Sequence, residues 1–141
     1  MSFSVQKDIT IEATVAQVWH TLVTPALIKK YLYGTDTVSD WKEGSSILFK
    51  GEYEGMPYTD KGTILSLQSN KVLKYSYLSS FANLEDRPEN YAILTFEMQA
   101  ISVGTLLKLT QENILSEESA QHAENSWEMV LQELKKVAEA L

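Results

Sequence analysis

The chain has 141 residues, 44% hydrophobic and 22% charged, the balance of a globular protein with one core rather than of a disordered or membrane-spanning chain. It contains no cysteine, which excludes disulfides, thiolate metal sites and a cysteine nucleophile and fits a reducing compartment. The formal charge of −7 comes from 19 acidic and 12 basic residues, and basic residues are adjacent only at Lys29-Lys30 and Lys135-Lys136, too dispersed to hold a phosphate backbone or an anionic membrane surface.

From Phe3 to Glu12 the residues Phe3, Val5, Lys7, Ile9 and Ile11 alternate with polar ones, the period of a half-buried strand. Val15, Val18, Trp19 and Leu22 then fall at helical spacing, and Thr14 with Gln17 makes a capping box at the entry. Thr24-Pro25 opens a second short helix through about Tyr31, with Thr24 as its cap. A run of strands follows. Ile47, Phe49, Gly51 and Tyr53 share one face, as do Leu73, Tyr75 and Tyr77, then Leu94, Phe96 and Met98, then Leu107 and Leu109. Gly62 to Leu67 is strand-like, but its apolar residues do not alternate and its faces stay unassigned. Turns are expected at Gly55-Met56-Pro57, at Gln68 to Lys71 and at Ser102-Val103-Gly104, and connections of this length favour antiparallel neighbours. Phe81 to Asn90 reads as an exposed loop. From Ser116 onward there is no Gly or Pro, and Ala123, Trp127, Val130, Leu131, Leu134 and Ala138 trace one stripe of a helix on the order of 36 Å long. A stripe of that length needs a broad sheet to cover it. The pattern predicts an α+β fold of one domain over residues 1–141, with the C-terminal helix lying across an antiparallel sheet.

Several segments carry a family resemblance. Ile11-Glu12-Ala13-Thr14-Val15-Ala16-Gln17-Val18-Trp19 followed by Leu22 resembles the first-helix entry of the START-like (SRPBCC), polyketide-cyclase-related superfamily. Ser39-Asp40-Trp41-Lys42-Glu43-Gly44, Gly104 to Gln111 and Trp127 to Lys135 narrow this to bacterial proteins similar to the C-terminal domain of the activator of heat-shock protein 90 ATPase. The resemblance implies a helix-grip fold, an antiparallel six- to seven-stranded sheet wrapped around the C-terminal helix with two short helices closing one end. Two positions depart from it: Thr14 stands near where family members often carry a proline, and Tyr31 where a tryptophan is frequent, which touches one candidate pocket wall.

Chemistry-bearing constellations are few. His20 and His122 are far apart and form no metal motif, so no metal is expected. Glu52, Glu54, Glu97 and Glu112 alternate outward, no phosphate or dinucleotide loop is present, and neither a catalytic residue nor a cofactor is expected. The main functional signal is an excess of aromatics on inner faces: Phe49, Tyr53, Tyr75, Tyr77, Phe96 and Trp127, with Leu94, Leu109 and Leu131 beside them and Gln111 as one polar group. These side chains either fill a core or wall a cavity for a small hydrophobic or aromatic molecule. Trp19 reads as core, and Trp41 as a core cap or a pocket mouth. The expected function is non-enzymatic binding of such a ligand. The resemblance implies two alternatives, a co-chaperone-like module for a partner of the Hsp90 type and a cyclase-like enzyme. The N-terminal residues carry neither a basic-then-apolar leader nor a bilayer-length apolar run, so a cytoplasmic location without membrane insertion is expected.

Overall fold

Alternation at the N-terminus becomes strand β1 (Phe3–Ile11), and the capping box forms as its spacing requires: the Gln17 amide donates to Thr14 Oγ1 at 3.1 Å and the Thr14 amide to Gln17 Oε1 at 2.9 Å. The computed structural model describes residues 2–141. Helices α1 (Val15–Val23) and α2 (Pro25–Tyr31) follow, then strands β2 (Asp36–Ser39), β3 (Ser46–Tyr53), β4 (Met56–Gln68), β5 (Val72–Tyr77), β6 (Ala92–Ile101) and β7 (Gly104–Ile114), and finally helix α3 (Glu117–Glu139). The strands form one antiparallel sheet in the order β1-β7-β6-β5-β4-β3-β2, so the only neighbours distant in sequence are β1 and β7.

The helix-grip architecture expected from the sequence is present, with some local differences. Thr24 precedes α2 but makes no capping bond; its hydroxyl shares a 3.0 Å hydrogen bond with His20 Nδ1 instead. The β3–β4 turn is tighter than the Gly55-Met56-Pro57 pattern implies, because Tyr53 pairs with Met56 and only Glu54 (φ 49°) and Gly55 (φ 80°) lie between them. Pro57 is accommodated inside β4 because this part of the strand pairs only with β3. The short, polar β2 has no hydrophobic alternation and was not legible as a strand.

The irregular Gly62–Leu67 segment has a physical cause. A register shift between Ile64 and Ser66 inserts an extra residue against β5, so Ile64 and Leu67 both reach the core while Leu65 faces solvent. Just before it, Gly62 lies so close to β5 that an added Cβ would fall 1.6 Å from the Ser76 carbonyl oxygen. The strand bends there, and the sheet curls.

Helix α3 lies along β1, running in the same direction. Lys7, on the otherwise apolar inner face of β1, donates to Glu128 at 2.9 Å and lies 3.9 Å from Glu124. Further along, Lys135 donates to the Thr10 carbonyl at 3.1 Å, and Glu139 accepts from the Glu12 amide at 2.7 Å while pairing with Lys135. Between these polar ties the stripe of Val130, Leu131, Leu134 and Ala138 is buried, and each of the two leucines contributes roughly 1.5–3 kcal/mol.

Candidate functional site

The inner faces of β3, β5 and β6 bring an array of aromatics together. Phe49 packs edge-on to Tyr77 with ring centres 5.8 Å apart and tilted against Tyr75 at 5.6 Å; Tyr75 stacks with Phe96 at 6.3 Å, and Phe96 meets Trp127 of α3 edge-on at 5.9 Å. These separations are the favourable ones for aromatic pairs, worth about 0.5–1.5 kcal/mol each beyond burial. The Trp127 indole is fixed by donating to Gln111 Oε1 at 2.7 Å.

This array is the floor of a cavity of ≈ 20 Å³ for the centre of a water molecule. Leu22 of α1, Ile28 and Tyr31 of α2, and Leu32 form its roof, and Trp41, from the loop before β3, closes one side. Trp41 has a left-handed backbone (φ 55°), and its amide donates to Ser39 Oγ at 3.0 Å, while Ser45 Oγ accepts from the Lys42 amide. A bulky residue rarely adopts this conformation, and the serine bonds hold it there. At this size the cavity holds about one water and no larger guest.

Two tyrosines line the cavity without a protein partner for their hydroxyls. Tyr31 is 4% exposed and Tyr75 6%; neither hydroxyl bonds to a protein group among the described residues, but neither is sealed from water-sized space. Burial pushes the Tyr75 phenol well above its usual range, and Tyr31 is raised first by burial and then by the neighbouring Tyr75. The two hydroxyls are thus close enough for one to feel the charge of the other, and both remain neutral. Thr37 Oγ1 on β2 differs from both: it is fully enclosed and has no partner among the described residues.

Next to this open pair is a closed network. The buried Asp60 carboxylate accepts from the Tyr77 hydroxyl at 2.5 Å, from the Ser80 amide at 2.8 Å and from the Ser80 hydroxyl at 3.1 Å. Tyr77 is raised by burial and then by the adjacent Asp60 charge. Here every buried polar group is satisfied, and the bonds pin the start of the 79–87 loop to the sheet.

Of the ten residues singled out in the sequence, Phe49, Tyr75, Phe96 and Trp127 line the cavity. Leu94, Leu109 and Leu131 belong to the solid core beneath it. Gln111 is committed to orienting Trp127, and Tyr77 turns its hydroxyl to Asp60. Tyr53 lies outside the cavity: it is on the expected face, but that face extends past the helices, leaving the ring 61% exposed against Phe81 with centres 6.1 Å apart. Strand alternation drew attention to the floor, so the roof residues Leu22, Ile28 and Leu32 were missed; their helical spacing marked a buried face but not what it covered. Of the walls outside the strands, Tyr31, Trp41 and Trp127 carried a signal. Among the described residues no group of His, Asp and Glu could hold a metal, and no helix is long and apolar enough to cross a membrane.

Comparison with known proteins places this geometry in a family. A solution structure of ChR145 from Cytophaga hutchinsonii is 42% identical, with a TM-score of 0.84 over 98% of this chain and 94% of that one. The Aha1 dimer from Colwellia psychrerythraea shares the fold at 19% identity, with a TM-score of 0.77 over 97% of this chain and 96% of that one. The same holds for SA2116, a protein of unknown function from Staphylococcus aureus, at 14% identity and a TM-score of 0.83 over 99% and 95%. No curated protein matches the sequence. The family model described as activator of Hsp90 ATPase homolog 1-like protein matches residues 12–139, and the chain belongs to that family.

Proposed function

We propose that this protein binds a small, flat, apolar molecule between α2, α3 and the sheet, and that it does so without catalysing a reaction. The observation that carries this reading is the aromatic-walled cavity itself, roofed by the shortest of its helices. Small-molecule sites typically enclose several hundred Å³, far more than this cavity offers as it stands, so binding requires the roof to lift. Helix α2 suits that role. It has seven residues, lacks a side-chain cap and is followed by two left-handed residues, Tyr33 (φ 51°) and Gly34 (φ 89°). A helix of that length has little stability of its own and is held by packing. A cytoplasmic setting belongs to this reading and rests on composition alone.

The test is an NMR titration with 2-isopropenylnaphthalene, following the indole N–H resonances of Trp41 and Trp127 and the amides of α2. Saturable shifts at all three are expected. Shifts scattered over the surface, or none at solubility-limited concentration, would sink the proposal.

A second reading, a protein-docking module for an Hsp90-type chaperone, draws on a different feature. Tyr53 and Phe81 are 61% and 53% exposed, and with the half-buried Tyr58 they form an aromatic surface at the tip of the β3–β4 hairpin. The family description and the Colwellia neighbour point the same way. Chaperone ATPase rate measured with this protein and with its Tyr53→Ala/Phe81→Ala variant decides it: stimulation lost in the variant supports docking there, and no stimulation by either form removes it.

A further inference from the structure

We infer that the ligand of the cavity carries a neutral hydrogen-bond acceptor, a carbonyl oxygen on an aromatic frame, seated between the hydroxyls of Tyr31 and Tyr75. This rests on the binding reading above and specifies its chemistry. Both phenols are more than nine-tenths buried, both line the cavity, and neither donates to a protein group. Both hydroxyls still touch space that a water can occupy, since Thr37 Oγ1 is the one fully enclosed side-chain polar atom without a partner among the described residues, so two phenols lining one small apolar space make it a place for an oxygen.

The charge of that oxygen follows from what surrounds it. Apart from the phenols the lining is carbon and indole, with no Lys, Arg or His among the described residues that form it. A carboxylate or phosphate there would be buried without a counter-ion, which is prohibitive, whereas a ketone needs only the two O–H donors. Burial keeps both phenols protonated at neutral pH, so both remain donors. Tyr75 stacked near Phe96, with Trp127 edge-on beyond it, supplies flat walls for an aromatic frame. Gln111, the nearest amide by sequence reasoning, already accepts from Trp127, which leaves the recognition to the tyrosines.

The experiment uses an isosteric pair, 2-acetylnaphthalene and 2-isopropenylnaphthalene, which differ only by C=O against C=CH₂. The wild-type chain should bind the ketone about 10-fold more tightly, the scale of one to two neutral hydrogen bonds. In the Tyr31→Phe/Tyr75→Phe variant the two affinities should converge to within about 2-fold, through loss of ketone binding alone. A folding-independent readout comes from the wild type: the infrared carbonyl stretch of ¹³C-labelled ketone should move to lower frequency on binding. Equal affinity for both molecules, or a ketone preference that survives in the double variant, overturns the inference and leaves the binding reading standing. An unshifted carbonyl band also overturns it, as it would if the hydroxyls served only to hold a water. If neither naphthalene binds, both readings fall together.

Discussion

Tyr75 and Tyr77 are two positions apart on β5 and point to the same side of the sheet, yet one belongs to a finished structure and the other to an open one. Around Tyr77 the donors and acceptors close on one another: its hydroxyl goes to Asp60, and Asp60 is completed by Ser80. Around Tyr75 there is no polar closure, only apolar walls and a second phenol in the same condition. Aromatic character is the same in both places, and Tyr77, though only half-buried where Tyr75 is buried, sits on the same face, so neither property by itself distinguishes scaffold from site. What distinguishes them is whether the hydroxyl has a protein partner.

Perturbations can break or sharpen that contrast. The largest effect is expected from Asp60→Ala, which strands the Tyr77 hydroxyl and the Ser80 amide together; about 3 kcal/mol of stability should be lost in urea unfolding. A loss below about 1 kcal/mol would mean the corner is not closed as described. Tyr77→Phe removes one bond to a charged acceptor and should cost about 2 kcal/mol by the same measurement.

Next comes alkaline pH. Burial holds the Tyr31, Tyr75 and Tyr77 phenols above the ordinary tyrosine value of 10.0 in the folded chain, so above that pH the unfolded chain releases protons that the folded chain retains. Stability is therefore fully present below pH 10 and falls as pH rises, with a limiting slope of about 1.4 kcal/mol per pH unit for each tyrosine. Unfolding curves between about pH 9 and pH 11.5 should show this, and Tyr31→Phe/Tyr75→Phe should flatten the slope. The smallest effects come at neutral pH from deleting unpartnered hydroxyls: Tyr31→Phe, Tyr75→Phe and Thr37→Val should each be neutral or stabilising by up to about 1 kcal/mol, read as a raised melting temperature. A clear loss from Tyr75→Phe, set beside the loss from Tyr77→Phe, would erase the difference between the two regions.

Much of this architecture could be read from periodicity because most of its elements are half-buried and therefore alternate or repeat. β1, the inner faces of β3, β5 and β6 and the α3 stripe all followed from that rule, and the α1 capping box followed from the Thr14–Gln17 spacing. It failed where burial stopped obeying it. The extra residue near Leu65 reverses the parity of β4, and β2 is too short and polar to show a face. Tyr53 was assigned to the right face, but nothing in a strand pattern tells where the covering helices end. The site was half legible for a related reason: the floor is made of strands with a strict period, whereas the roof comes from Ile28 and Tyr31 on a seven-residue helix and from Trp41 in a loop. Whether the hydroxyls of Tyr31 and Tyr75 find partners depends on three-dimensional neighbours, which spacing along a chain does not encode.

The stitching of β1 to β7 and α3 bears on how the molecule comes into being. During synthesis β1 emerges from the ribosome well before its hydrogen-bonding partner, Gly104–Ile114, and the Glu128 carboxylate that receives Lys7, both of which lie much later in the chain. Until then its apolar side has no permanent cover, and the nascent chain cannot complete its sheet piecewise. Folding is consequently a late, chain-spanning event with large loop-closure entropy, in the slower range for domains of this size. The exposed interval before the C-terminal helix is released is when such a chain is most vulnerable to aggregation.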